Sequence, residues 1–162
     1  MTLRSGTLRP ILIAEDNAND LELIQTALEE AHLSNEIVVA RDGEAAMDYL
    51  RRQGAHSGRE TPTPALVVLD LKMPRVDGRE VLRRMRADPL LHLVPVVILT
   101  SSREQSDLVQ TYEMGANAYV VKPVAFEDFL SAVSKLGTFW SMLNEPPPPP
   151  PLSTPAEPKL PW

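Results

Sequence analysis

The run Leu66-Val67-Val68-Leu69-Asp70-Leu71-Lys72-Met73-Pro74, with Asp77-Gly78 close behind, constrains the fold more than any other stretch of the chain. It opens on apolar strand formers, is too short for a helix, and is bounded by Pro62, Pro64 and Pro74. That pattern predicts a strand buried on both faces, as in a parallel sheet covered by helices. Asp70 stands where the strand ends. In an open parallel sheet, ligands bind in the crevice beyond the carboxyl ends of the strands, so this carboxylate occupies the place where such an architecture puts its chemistry.

The remaining segments fit around this strand. Ile11-Leu12-Ile13-Ala14 predicts a first buried strand ending at Glu15-Asp16-Asn17, with Asn17 or Asn19 as cap of a helix whose inner stripe is Leu21, Ile24, Leu28 and Ala31. Residues 36–40 predict a second strand, and Asp42-Gly43 leads to a helix with Ala46, Met47 and Leu50 inward. A loop rich in breakers, residues 54–64, precedes the Asp70 strand. A third helix then buries Val81, Leu82 and Met85, and a fourth strand over 94–99 ends at Thr100-Ser101-Ser102.

Ser101 with Glu104, or Ser102 with Gln105, has the spacing of a capping box for the fourth helix, in which Leu108 and Tyr112 are expected to face inward before Gly115 stops it. Residues 117–121 predict a fifth strand ending at Lys122-Pro123. A last helix, about 126–143, carries two apolar stripes: Phe126, Leu130, Val133 and Phe129, Leu136, Phe139, Leu143. The alternation predicts an α/β fold. Its form is a doubly wound, five-stranded parallel sheet of flavodoxin-like order 2-1-3-4-5, with helices on both faces.

One domain is expected over residues 1–143, with its core at about 10–137, followed by a proline-rich tail over 144–162 that is polyproline II or disordered. The chain has no cysteine, which excludes disulfides and thiolate chemistry. Its apolar runs are too short for a signal sequence or membrane span, so a cytoplasmic protein is expected. A net charge of −6 opposes nonspecific binding to nucleic acid or anionic lipid.

The order 2-1-3-4-5 makes the first and third strands neighbours, which brings Glu15, Asp16 and Asp70 together, with Thr100 and Lys122 arriving from the fourth and fifth strands. Clustered carboxylates repel unless a cation lies among them, and Mg²⁺ suits such a set of hard oxygen donors. Singly, each residue has an ordinary reading as a helix-start acid, a cap or a surface charge. Together, at the ends of four strands, they have the parts for phosphoryl transfer to Asp70. The chain lacks a GxxxxGK[ST] loop, and Asp70-Leu71-Lys72 lacks the second aspartate of DxD phosphohydrolases.

From Ile11 to about Leu136 the chain resembles the receiver domain of two-component response regulators, through Glu15-Asp16, Asp70, Met73-Pro74, Asp77-Gly78, Thr100 and Lys122-Pro123. The resemblance implies that Asp70 accepts a phosphoryl group from a histidine kinase. It implies Mg²⁺ at Asp16, Asp70 and the Lys72 backbone carbonyl, with Glu15 assisting through water. It also implies pairing of Lys122 with the phosphoryl group, a cis Lys122–Pro123 bond, tuning by Lys72 and Ser102, and a switch in which Thr100 moves and Tyr119 turns inward. The start at Glu15-Asp16-Asn17, the long second loop and the Phe139–Leu143 extension are similar to regulators that partner bacterial phytochrome kinases. That likeness implies a homodimer through helix 4, strand 5 and helix 5, with output by contact with a downstream protein. A phosphorylation-independent pseudo-receiver, a phosphate sink in a phosphorelay and an external phosphohydrolase are the other readings; the intact Asp70, Thr100 and Lys122 oppose the first, and the missing second aspartate opposes the last.

Overall fold

The computed structural model describes residues 8–148 and 150. Five parallel strands, β1 (Ile11–Ala14), β2 (Ile37–Ala40), β3 (Leu66–Leu69), β4 (Val96–Thr100) and β5 (Ala118–Val121), lie in the order 2-1-3-4-5. Five helices alternate with them: α1 (Ala18–Glu30), α2 (Gly43–Arg51), α3 (Gly78–Ala87), α4 (Gln105–Glu113) and α5 (Phe126–Thr138). This is the expected flavodoxin-like order.

The strand sequences are apolar throughout because both faces of the sheet are covered. Leu12, Ala14, Val67, Leu69, Val96 and Ile98 point to one side, where they meet Ala46, Met47 and Leu50 of α2 and Val81, Leu82 and Met85 of α3. Ile11, Ile13, Leu66, Val68, Val97 and Leu99 point to the other, against Leu21, Ile24 and Leu28 of α1 and Phe129 and Val133 of α5. Each large aliphatic side chain taken out of water here contributes roughly 1.5–3 kcal/mol. Strands β1, β3 and β4 are buried along their length, whereas β5, at the edge, is half-buried at every position.

Helix starts follow their caps. Asn17, Asp42 and Asp77 each accept a backbone N–H from the first turn of α1, α2 and α3. Helix α4 departs from expectation. Neither capping box forms, since Glu104 precedes the helix without a side-chain cap, and its N–H donates instead to Ser102 Oγ at 3.3 Å. Leu108 and Tyr112 are 37% and 49% exposed, and the buried positions are Asp107 and Thr111. The helix is rotated because Asp107 finds charged and hydroxyl partners beneath it. Gly115 ends α4 as expected, at φ 98°.

The last helix is α-helical only to Thr138 and continues as a π-helical turn, Phe139–Leu143. Phe126, Phe139 and Leu143, expected in its apolar stripes, are exposed. The 54–64 loop begins with a 3₁₀ turn, Gly54–His56, and is gathered by Arg59, whose guanidinium donates to the carbonyls of Tyr49, Thr61 and Pro62 and lies 4.0 Å over the Tyr49 ring. At the base of the sheet, Arg9 donates to the carbonyls of Thr63 at 3.0 Å, Pro64 at 2.9 Å and Pro147 at 2.6 Å. The polyproline reading of the tail lies outside the described residues at 149 and 151–162.

Candidate functional site

The parallel register sets the site. Ala14 and Leu69 end β1 and β3 as direct partners, so Glu15, Asp16 and Asp70 follow at the same level of the sheet. Their carboxylate oxygens come within 4.8 Å of one another. Glu15 and Asp70 are buried, and Asp16 is exposed. On the far side of Asp70, Thr100 ends β4, and its carbonyl receives the Lys122 N–H at 2.8 Å, extending the β4–β5 ladder to the lysine. Thr100 is itself buried.

The Lys122 ammonium lies among the acids, 2.8 Å from Asp70 Oδ2 and 2.7 Å from Glu15 Oε2. A third carboxylate, Asp20 Oδ2, completes its shell at 2.7 Å. Asp20 was not singled out in the sequence. The available signal was its place in the first turn of α1, directly beyond the end of β1. Burial works against the Lys122 charge, but the hydrogen bonds to Asp20, Asp70 and Glu15 outweigh it and hold its pKa above the ordinary lysine value. Burial pushes Glu15 up to about 7; the hydrogen bond from Lys122 opposes this and the Asp70 charge adds to it.

Backbone groups fix the remaining geometry. The Asn17 N–H donates to Glu15 Oε1 at 3.0 Å, and the Lys72 N–H to Asp70 Oδ1 at 3.3 Å. The Lys72 side chain is exposed. Behind Asp70, Gly78 packs so tightly that a Cβ there would fall 2.1 Å from the Asp70 carbonyl oxygen. No peptide bond among the described residues is cis, so Lys122–Pro123 is trans, contrary to expectation. The trans form is intrinsically preferred before proline, and Lys122 reaches its partners from it.

Ser102 is buried and joins several groups. Its N–H approaches Thr100 Oγ1 at 3.4 Å, its carbonyl accepts from the Tyr119 hydroxyl at 3.0 Å, and its own hydroxyl donates to Asp107 Oδ2 at 2.6 Å. Tyr119 is half-buried against the α2–α3 side of the core. Asp107 also pairs with Arg79 of α3, a second set of residues that local sequence pattern did not reveal.

Three carboxylates around one ammonium, with Asp16 beside Glu15 and Asp70, leave an oxygen-rich, net-negative pocket at the ends of the strands. Oxygen donors of this kind, brought within reach of one another, fit a hard divalent cation. Fold and site together define a single class, an acidic receiver pocket on a doubly wound sheet. Residues 11–134 match the family model of the response regulator receiver domain, and the chain belongs to that family. It is similar to Response regulator Rcp1 of Synechocystis sp. (strain ATCC 27184 / PCC 6803 / Kazusa), with 36% identity over 86% of this chain and 94% of that protein. Among solved structures it resembles the bacteriophytochrome response regulator AtBRR, with 56% identity over 86% of this chain and all of that one, TM-score 0.70. It also resembles the phosphorylated cyanobacterial phytochrome response regulator RcpA, with 35% identity over 88% and 100% of the two chains, TM-score 0.82. No described helix is long and apolar enough to cross a membrane.

Proposed function

We propose that the protein is a phosphoacceptor switch: Asp70 takes a phosphoryl group from the phosphohistidine of a histidine kinase. A carboxylate oxygen of Asp70 attacks phosphorus, the P–N bond breaks, and the departing imidazole takes up a proton. Glu15, Asp16 and Asp70, with the Lys72 backbone carbonyl, would hold Mg²⁺, which when bound supplies charge neutralisation of the phosphoryl oxygens. Lys122 offsets the negative charge from the side of β5, and the Thr100 hydroxyl donates to a phosphoryl oxygen. Lys72, exposed two residues after Asp70, and Ser102, buried two residues after Thr100, are the tuning positions. The observation that carries the reading is the convergence on Asp70, at the end of β3, of Glu15 and Asp16 from the end of β1 and Lys122 from the end of β5.

The similarity to AtBRR and RcpA supports a phytochrome-type histidine kinase as donor, and with it a cytoplasmic setting. Exposed Leu108, Val109 and Tyr112 on α4, beside the half-buried edge strand β5, support output through the α4–β5–α5 face, by pairing of two copies or contact with a downstream protein. Incubation with acetyl phosphate and Mg²⁺, followed by intact mass measurement, tests the chemistry. Wild type gains one phosphoryl group and Asp70→Asn gains none; an acid-labile phosphoryl group persisting on the variant would overturn the assignment.

A further inference from the structure

Of the three carboxylates that hold Lys122, Asp20 stands apart. An ammonium has three N–H donors, and those of Lys122 meet Glu15 Oε2 at 2.7 Å, Asp70 Oδ2 at 2.8 Å and Asp20 Oδ2 at 2.7 Å. Glu15 and Asp70 also belong, with Asp16, to the set whose oxygens lie within 4.8 Å of one another; Asp20 does not. Its carboxylate lies nearer the surface than those of Glu15 and Asp70. The cap of α1 is Asn17, which accepts the Asp20 backbone N–H at 3.0 Å and leaves the Asp20 side chain to Lys122.

A divalent cation and an ammonium compete for the same oxygens. A cation held by Glu15, Asp16 and Asp70 draws on two of the three carboxylates that now bind Lys122, and two positive charges side by side repel. The ammonium has a way out. Beside it lies a cleft of about 310 Å³ lined by Asp20, Ser101, Pro123, Val124 and Phe126, of which Val124 and Phe126 are exposed to solvent. Resting on the phosphoacceptor reading above, we propose that Asp20 is a positioning residue: it keeps Lys122 in the pocket when the metal set is filled, so that the ammonium still faces the phosphoryl group. The bond it uses is charge-assisted at both ends, the stronger kind of hydrogen bond. Asp20 acts through the lysine, being outside the metal set.

The test titrates beryllofluoride, a phosphoryl mimic, calorimetrically into the full chain at saturating Mg²⁺. Asp20→Ala removes the bond and weakens binding by about fivefold, an ordinary coupling between linked sites. Alanine is the best helix former and Asn17 keeps the cap, so this variant folds. Asp20→Asn removes the charge but keeps an oxygen that accepts from Lys122, and it recovers most of the wild-type affinity. A carboxylate that served only the macrodipole of α1 would alter unfolding stability and leave both affinities at the wild-type value. Wild-type affinity in Asp20→Ala, tighter binding in either variant, or a loss in Asp20→Asn as large as that in Asp20→Ala overturns the proposal while leaving Asp70 as phosphoacceptor. Beryllofluoride binding that is absent from wild type, or retained by Asp70→Asn, overturns the phosphoacceptor reading itself.

Discussion

Lys122 and Asp70 meet at 2.8 Å although the strands that carry them, β5 and β3, are not neighbours; β4 lies between them. The ammonium spans the end of β4 and serves three acids at once. Lys122→Ala therefore leaves several buried or half-buried carboxylates without their cation. We expect a loss of about 3 kcal/mol in unfolding free energy at neutral pH in EDTA, as for a broken buried ion pair, with part of it restored by Mg²⁺. Urea unfolding with and without the metal measures both.

Glu15 gives the metal-free protein a distinctive pH response. Its pKa in the fold is about 7, raised chiefly by burial, against about 4.3 in an unfolded chain. The folded state thus binds the proton more tightly. The resulting stabilisation is fully present below about pH 4.3 and is lost as the pH rises through about 7. Glu15→Gln removes this dependence. Between pH 5 and 8 in EDTA, wild type should lose stability relative to the variant by no more than about 3 kcal/mol, as read from paired urea titrations.

Gly78 lies against the backbone of the Asp70–Leu71 segment, where an added Cβ would be 2.8 Å from Leu71 Cα as well as 2.1 Å from the Asp70 carbonyl oxygen. Backbone atoms cannot swing aside as a flexible side chain does. Gly78→Ala should cost about 1–3 kcal/mol, as overpacking does, and weaken Mg²⁺ binding by displacing Asp70. Thermal unfolding and a Mg²⁺ titration check the two effects separately.

The outward side chains of α4 make the opposite case. Val109 is 45% exposed and Tyr112 49%. Val109→Glu and Tyr112→Ser should change monomer stability by no more than about 0.5 kcal/mol, the usual range for surface substitutions. If this face joins two copies, the same variants shift the protein to the monomer in size-exclusion chromatography with beryllofluoride. An unchanged elution volume would place self-association elsewhere.

The sheet and most of the pocket were legible because buried parallel strands leave uninterrupted apolar runs, and the residue after each run is fixed by the register. Asp70, Glu15 and Asp16 are readable in this way. Helix α4 was not. Leu108 with Tyr112 and Asp107 with Thr111 both have i, i+4 spacing, so hydropathy selects the first pair. What decides for the second is Arg79, 28 residues away along the chain and visible only in three dimensions. Asp20 was hidden for a similar reason, since its partner Lys122 is 102 residues distant.

Arg9 binds the base of the sheet and the start of the proline tail through bonds that all end on carbonyl oxygens. A charge held by short-range dipoles responds weakly to ionic strength, whereas the exposed Glu80–Arg83 pair on α3 is screened by it. Added salt should therefore loosen the two ends of the molecule unequally. At an ionic strength where the α3 surface pairs contribute little, the Arg9 bonds still hold Pro147 beside the loop that leads into β3.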